Sequence, residues 1–395
     1  MATLAENAKR LNKEFKNEKL IIKSDIVPHY ERLACGALGM DYPLFGGLPL
    51  GRICVYSGLQ HSGKTTAACC ELAAYQRKFP DKTCVFIDAE HALDIKFQAI
   101  MNGIDLDKLY YVNVPENMSG EQVCDLIVEL QKSDDIGMIV LDSLPALVPE
   151  IVLTSDLTKD AGMRSTMAKK LYPFLNIMTG MLAAKNNILI LINQVRQTGT
   201  TFTGLPIFKE PCGGGPQFLS SVSVRFGTRT FTKGDDMDYG KGDGEGADGF
   251  RLKFKIMKNK TANPTRGGGF ITYRYATGLD YLHDTFEIAL AFDYIHRVNN
   301  VTYELINLET GEVYNDDEGQ PLRGKKADLI SYLVANEEFR SAYMEMLTKH
   351  ITTADAPTVK LLDSATSKEL DVQEEALKHQ YDKDIRENGY KPEEA

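Results

Sequence analysis

The sequence predicts an α/β fold, a mostly parallel sheet flanked by helices and followed by a smaller α/β region. Three observations predict it. From residue 50 onward, short apolar runs alternate with longer segments of helical pattern. Those runs are continuously apolar, as strands covered on both faces should be. One of them, Ile53-Cys54-Val55-Tyr56, leads directly into Gly58-Leu-Gln60-His61-Ser62-Gly63-Lys64-Thr65, a strand, glycine-rich turn and helix start that together cradle phosphate.

The elements follow in order. Residues 4–17 set Leu4, Ala8, Leu11 and Phe15 at three- and four-residue spacing, which predicts a short amphipathic helix. So short a helix is marginal alone and needs a surface, either its own domain or a neighbouring subunit. The main domain starts near Glu31. Strands are expected at 52–57, 83–88, 109–114, 137–142 and 187–193, joined by right-handed crossovers. An Ala-rich helix spans Thr66 to Arg77, and the capping box Ser119-Gly-Glu-Gln122 opens another. Residues 197–217 carry Gly, Thr and Pro without periodicity, too long for an ordinary connection. Segments 221–231 and 250–258 read as antiparallel strands, with 233–249 as the tip between them. Asp235, Asp236, Asp238 and Asp243 in that tip miss the spacing of an EF-hand loop, so it reads as a hairpin end rather than a metal site. A helix at 280–292 opens the smaller region, which ends near His350. The last 45 residues hold eleven acidic against six basic side chains and read as a solvated, flexible tail.

Composition bounds the function. The chain has 395 residues, 43% hydrophobic and 25% charged, enough to bury a large core. Its net charge of −10 excludes a generally basic nucleic-acid coat but leaves room for a local basic groove. No run approaches the roughly 18 apolar residues of a membrane span, and the start lacks the apolar region of a secretory signal. The seven cysteines are an odd set without metal-ligand spacing, several inside apolar runs. A reducing compartment, the cytoplasm, is expected.

The chemistry gathers where strands end. In an open α/β sheet the site lies at the carboxyl ends of the strands. Those ends carry the phosphate loop, then Asp88-Ala-Glu90-His91, then Asp142-Ser143, then Asn193-Gln194. Any one could be a helix cap or turn former; four in succession point to one shared site. The loop glycines let backbone N–H groups wrap a polyphosphate. The helix from Thr65 aims its free amides, and those of Thr66, at the same anion. Lys64 would reach the β- and γ-phosphates, and Thr65 with Asp142 would hold Mg²⁺. Glu90 is placed to polarise an attacking water, and Gln194 suits a sensor, being neutral and next to the long loop. His91 reads as a structural neighbour.

These stretches resemble one family. Gly51-Arg-Ile followed by the loop through Thr66, Phe-Ile-Asp-Ala-Glu-His-Ala-Leu-Asp (86–94), Val-Leu-Asp-Ser-Leu-Pro-Ala-Leu (140–147), Leu-Ile-Asn-Gln-Val-Arg (191–196) and Lys-Asn-Lys-Thr-Ala (258–262) are similar to the bacterial RecA recombinases, in the same order and at similar spacing over roughly residues 1–350. The divergent remainder and the Gly/Asp-rich insertion look more like a bacteriophage-encoded member. The resemblance implies a RecA-like ATPase core at 33–278, an N-terminal oligomerisation helix and linker at 1–32, a small C-terminal domain at 279–350 and a tail at 351–395. It implies ATP as substrate with Mg²⁺, Asp94 and Phe97 flanking the adenine, and Lys258 and Lys260 completing the neighbouring subunit's ATP site as an arginine finger does. It also implies two DNA-lining loops, about 154–165 and 195–216, with Met163, Arg164, Lys169, Lys170, Arg196, Gly199, Gly213, Gly214 and Gly215 meeting the phosphate backbone with little regard to base sequence. Implied partners are single- and double-stranded DNA, further copies in a helical filament, and single-strand-binding and loading mediator proteins. The chain departs from the family at Leu219-Ser220, where a Lys-Phe pair stands, at Pro216 in place of Asn, and at Gln60 in place of an acidic residue.

The expected function is DNA-dependent ATP hydrolysis coupled to homologous pairing and strand exchange. One alternative is a hexameric replicative helicase, which shares this core but carries an accessory N-terminal helical domain. Another is an ATP-binding scaffold, against which Lys64, Glu90 and Asp142 speak.

Overall fold

The protein is described here by a computed structural model covering residues 3–16, 21, 30–154, 164–200, 206–234, 236–240, 244–353 and 355–387. It divides into two units, Met1–Glu31 and Arg32–Ala395. In the first unit, helix α1 (Leu4–Glu14) opens with a capping box: Thr3 Oγ1 accepts from Glu6 N at 3.3 Å and Glu6 Oε2 accepts from Thr3 N at 2.8 Å. None of its residues is buried, and Leu4 and Phe15 stand exposed.

The second unit is built on a sheet of eleven strands among the described residues. These are β1 (Ile53–Gly58), β2 (Thr83–Asp88), β3 (Leu109–Asn113), β4 (Ile136–Asp142), β5 (Ile188–Gln194), β6 (Val222–Phe226), β7 (Thr230–Lys233), β8 (Asp236–Gly240), β9 (Gly249–Asn259), β10 (Gly268–Arg274) and β11 (Gly278–Leu279). Strands β6, β1, β5, β4, β2 and β3 lie side by side in that order and run parallel. The antiparallel strands extend the sheet beyond β6, with β9 pairing β6, β7 and β10.

Alternation along the parallel strands divides the core. Cys54, Tyr56, Phe86, Val140 and Ile190 point to one face, where helix α2 (Lys64–Lys78) packs Ala67, Ala68, Cys69, Leu72 and Ala73 against them. Such small side chains let the helix axis approach the sheet. Ile53, Val55, Val85, Ile87, Ile139, Leu141 and Leu189 point to the other face. Helix α3 (Ile95–Asn102) follows β2. The second face is covered by α4 (Gly120–Lys132), through Val123 and Ile127, and α5 (Arg164–Lys185), through Leu171, Leu175 and Met178. The expected capping box at Ser119 and Gln122 is present. A third core gathers Tyr42, Phe270, Phe286, Leu305, Leu329 and Leu347 around α6 (Tyr281–Ala291), α7 (Lys326–Ala335), α8 (Glu337–Thr352) and a three-stranded sheet drawn from 295–324.

The structure corrects several expectations. Strand β3 is not covered on both faces; it is the sheet edge, with Tyr110 and Tyr111 exposed. Segment 221–231 is antiparallel to 250–258 as expected but is two strands: β6 is buried throughout, also runs parallel to β1, and ends before Gly227, after which β7 begins at Thr230. The expected tip at 233–249 contributes β8, paired with β7 on the side away from β9; Asp235 and 241–243 lie outside the described residues. Part of the aperiodic stretch 197–217 forms an antiparallel hairpin, Arg196–Thr200 with Pro206–Lys209. Of the expected solvated tail, residues 364–387 form helix α9 (Ser364–Glu387). Its acidic side chains answer lysines of β9: Asp363 pairs with Lys253 at 3.1 Å, and Asp371 and Glu374 both reach Lys255. Leu370 and Leu377, two turns apart on one face, are buried.

Candidate nucleotide-binding site

Parallel register lines up the strand ends. Gly58 of β1 lies beside Gln194 of β5 and Phe226 of β6, and Asp88 of β2 lies beside Asp142 of β4 and Asn113 of β3. The phosphate loop leaves β1 at Gly58, where a Cβ would sit 2.5 Å from Phe226 O and 2.7 Å from Ser62 Oγ. At Gly63 (φ 84°), a Cβ would sit 2.2 Å from Leu252 Cδ2, so only glycine lets the chain turn into α2 against β9. Gln60 and His61 are exposed at the loop's crest, Ser62 is buried, and Thr66 is half-buried in the first turn of α2.

The buried ammonium of Lys64 donates to Leu59 O at 2.8 Å and to Gly58 O and Ser62 Oγ, each at 3.3 Å. Burial pulls its pKa down to about 8, against the raising influence of Asp142 and Glu90. Thr65 Oγ1 donates to Asp142 Oδ2 at 2.6 Å. Burial pushes Asp142 up to about 6, with the Thr65 bond opposing and the Glu90 charge adding. A hydroxyl and a carboxylate this close are a hard-oxygen donor pair, and the glycine cradle with a buried lysine fits a polyphosphate. The donor set therefore suits ATP and Mg²⁺.

Glu90 is held by its neighbours. Its Oε1 accepts from Ser143 Oγ and from Gln194 Nε2. The turn that presents it is shaped by Asp88, which accepts from Glu90 N at 2.9 Å, His91 N at 2.8 Å and the Tyr111 hydroxyl at 2.6 Å. Ser143 and Tyr111 were not singled out for these roles from the sequence. Ser143 was visible at a strand end beside Asp142; Tyr111, inside a strand, gave no signal. His91 bonds Asn113 through Nδ1 at 2.7 Å, a structural contact. Asp94 caps α3 by accepting from Phe97 N at 3.0 Å, which leaves the Phe97 ring half-exposed beside the cap. Lys64, Thr65, Glu90, Asp142 and Gln194 thus come together.

The family described as the RecA N-terminal domain matches residues 2–280. The chain belongs to the RecA family. It is 31% identical over 353 residues to a Protein RecA of Mycoplasma mobile, covering 88% of this chain and 96% of that one. It is 30% identical over 293 residues to a Protein RecA of Acholeplasma laidlawii (73% and 82%) and 32% identical over 268 residues to that of a Sulfurovum strain (67% and 72%). It is a RecA-type recombinase of DNA repair and an ATP hydrolase. The helicase alternative finds no support in these matches.

The residues that the RecA resemblance assigned to DNA are spread more widely than expected. Met163 lies outside the described residues, and of Arg164 only its place at the start of α5 is described. Lys169 and Lys170 sit on α5 rather than in a loop, and Lys170 lines a groove with Glu121 and Asp125 of α4. Arg196 and Gly199 are exposed on the hairpin strand that follows Gln194. Gly213 is half-buried, but Gly214 and Gly215 are buried at the start of the short helix Gly215–Leu219 rather than open to a phosphate backbone. Lys258 donates to Gln217 O at 2.7 Å and Phe218 O at 2.6 Å, and Lys260 to Phe218 O at 3.5 Å. Both therefore cap the last carbonyls of that short helix. Burial, with the Lys260 charge, lowers Lys258 to about 7. No helix among the described residues is long and apolar enough to cross a membrane.

Proposed function

We propose that this RecA-family chain polymerises on single-stranded DNA, pairs it with homologous duplex and exchanges strands, with ATP bound between subunits acting as the switch. The observation that carries this reading is the bond from Gln194 to Glu90, because Gln194 ends β5 and the exposed hairpin strand starts at Arg196. One side chain thus touches the hydrolytic carboxylate while its backbone leads into a segment that can feel DNA.

Thr65 and Asp142 would hold Mg²⁺, which supplies charge neutralisation at the phosphate oxygens. Lys64 binds the anion alongside the loop amides. Glu90 accepts the proton of the attacking water, and Ser143 and Gln194 fix the direction of its carboxylate. Phe97 offers a ring face to the adenine beside Asp94. Lys258 and Lys260 of one subunit would complete the ATP site of the next. DNA would be held by Arg196, Gly199, Gly213 and the residues near 154–165, with little base discrimination. Helix α1, apolar on one side and with nothing buried, would be the arm that docks on a neighbour. We infer a bacteriophage-type member acting in the cytoplasm of its host with single-strand-binding and loading proteins.

ATP hydrolysis measured with and without single-stranded DNA, beside electron microscopy with a slowly hydrolysed ATP analogue, tests the reading. Stimulation together with helical filaments is expected. Closed rings, or hydrolysis indifferent to DNA, would overturn it.

A further inference from the structure

Behind the nucleotide site runs a second polar chain, buried at Asn193, Glu210, Arg225 and Ser223, that phosphate chemistry does not need. Asn193, fully buried, accepts from Gln194 N through Oδ1 at 3.0 Å and donates through Nδ2 to Glu210 Oε2 at 3.1 Å. Glu210 follows the second hairpin strand and is buried with Arg225 of β6, their side chains 2.5 Å apart. The same Oε2 accepts from Gln217 Nε2 at 3.2 Å. Gln217 in turn accepts from Ser223 Oγ through its side chain and from Lys258 Nζ, at 2.7 Å, through its carbonyl. Ser223 and Lys258 face each other across β6 and β9.

We propose that Glu210 and Gln217 are positioning residues that couple Gln194 on one side of the hairpin to Lys258 on the other, so that DNA at the hairpin, nucleotide at Gln194 and the interfacial lysine move as one unit. The physical case rests on cost. A buried carboxylate and guanidinium are expensive to desolvate, and a hydrophobic pair of similar volume often serves stability as well. Asn193 and Ser223 are likewise buried and Gln217 is half-buried, which leaves few alternative partners if one of them shifts. A displacement of the hairpin base at Glu210 therefore pulls on Asn193 and on Gln217 together. Gln217 is the joint: its side chain holds Glu210 while its carbonyl holds Lys258. With that carbonyl and the adjacent Phe218 O in place, Lys258 stays folded onto its own subunit; when this pair moves with Gln217, the ammonium is released toward a neighbour.

The inference rests on the proposed recombinase reading, and the test separates the two. Gln217→Leu and Glu210→Gln are made singly and together, and each protein is assayed for basal hydrolysis, hydrolysis with saturating single-stranded DNA, KM for ATP and thermal midpoint. Expected is a loss of about tenfold in kcat with DNA for either single change, with basal rate and KM within about twofold and no further loss in the double variant. Losses that multiply in the double variant, or that fall equally on basal and stimulated rates along with the thermal midpoint, mark a merely structural cluster and overturn the proposal. Unchanged stimulation in all three folded variants overturns it as well. If the unaltered protein itself ignores DNA, the recombinase reading fails first and takes the coupling with it.

Discussion

Lys64 and Asp142 set the working range of the site through burial. The lysine is pulled down to about 8 and the aspartate up to about 6, so both are charged only between those values. Raising the pH through about 8 strips the proton from Lys64 in the nucleotide-free protein. Lowering it through about 6 protonates Asp142 and removes the carboxylate proposed to hold Mg²⁺. Nucleotide affinity is therefore expected to fall by up to about tenfold per pH unit above 8, and the Mg²⁺ requirement to rise below 6. Titration with a fluorescent nucleotide checks this, and affinity flat to pH 10 would contradict it. At Glu90 a different separation applies. Glu90→Gln keeps the acceptor that Ser143 and Gln194 hold but cannot take a proton from water. Hydrolysis should drop by about 10²- to 10⁴-fold while nucleotide binding stays within about twofold. Of these residues, Lys64, Thr65, Glu90, Asp142 and Gln194 were legible from their spacing and their places at strand ends. Ser143's grip on Glu90 and Tyr111's on Asp88 were not, since a contact between two strands is set by sheet order, which spacing along one chain does not encode.

Among the elements, α9 changes the picture most. Acidic composition pointed to a solvated tail, yet Leu377 is buried with Val195 and Phe208, beside Leu59 of the phosphate loop. The helix thus leans on both the segment after Gln194 and the hairpin. Leu377→Ala should cost about 2–5 kcal/mol of local packing. Amide exchange should quicken over 364–387 and over 206–209 together; exchange unchanged in the hairpin would mean that the helix does not hold it. Composition failed here because net charge averages around a helix, while packing depends on a narrow stripe that includes Thr366, Leu370, Gln373 and Leu377. The division of 221–231 escaped for a related reason. An apolar run does not state its direction, and β6 runs parallel to β1 only because the chain crosses the sheet before entering it.

For the whole molecule, the separation of Met1–Glu31 from Arg32–Ala395 predicts independence. A chain beginning at Arg32 should keep its thermal midpoint and nucleotide affinity yet lose self-association, as read by light scattering with and without DNA. Assembly that survives the deletion would remove α1 from its proposed role. The phosphate loop, the carboxylate at Glu90, the alternating α/β rhythm of five of the six parallel strands and the family were legible in the sequence alone. Each is written in local spacing, where a glycine, an apolar run or a terminal carboxylate has one physical use. Tertiary structure decided the rest: which strand forms the edge, that residues 364–387 form a packed helix, that Gly214 and Gly215 are buried, and that Lys258 is tied through Gln217 to the base of the hairpin. Those depend on which segments meet across the sheet, and burial and hydrogen-bond partners are assigned only when they do.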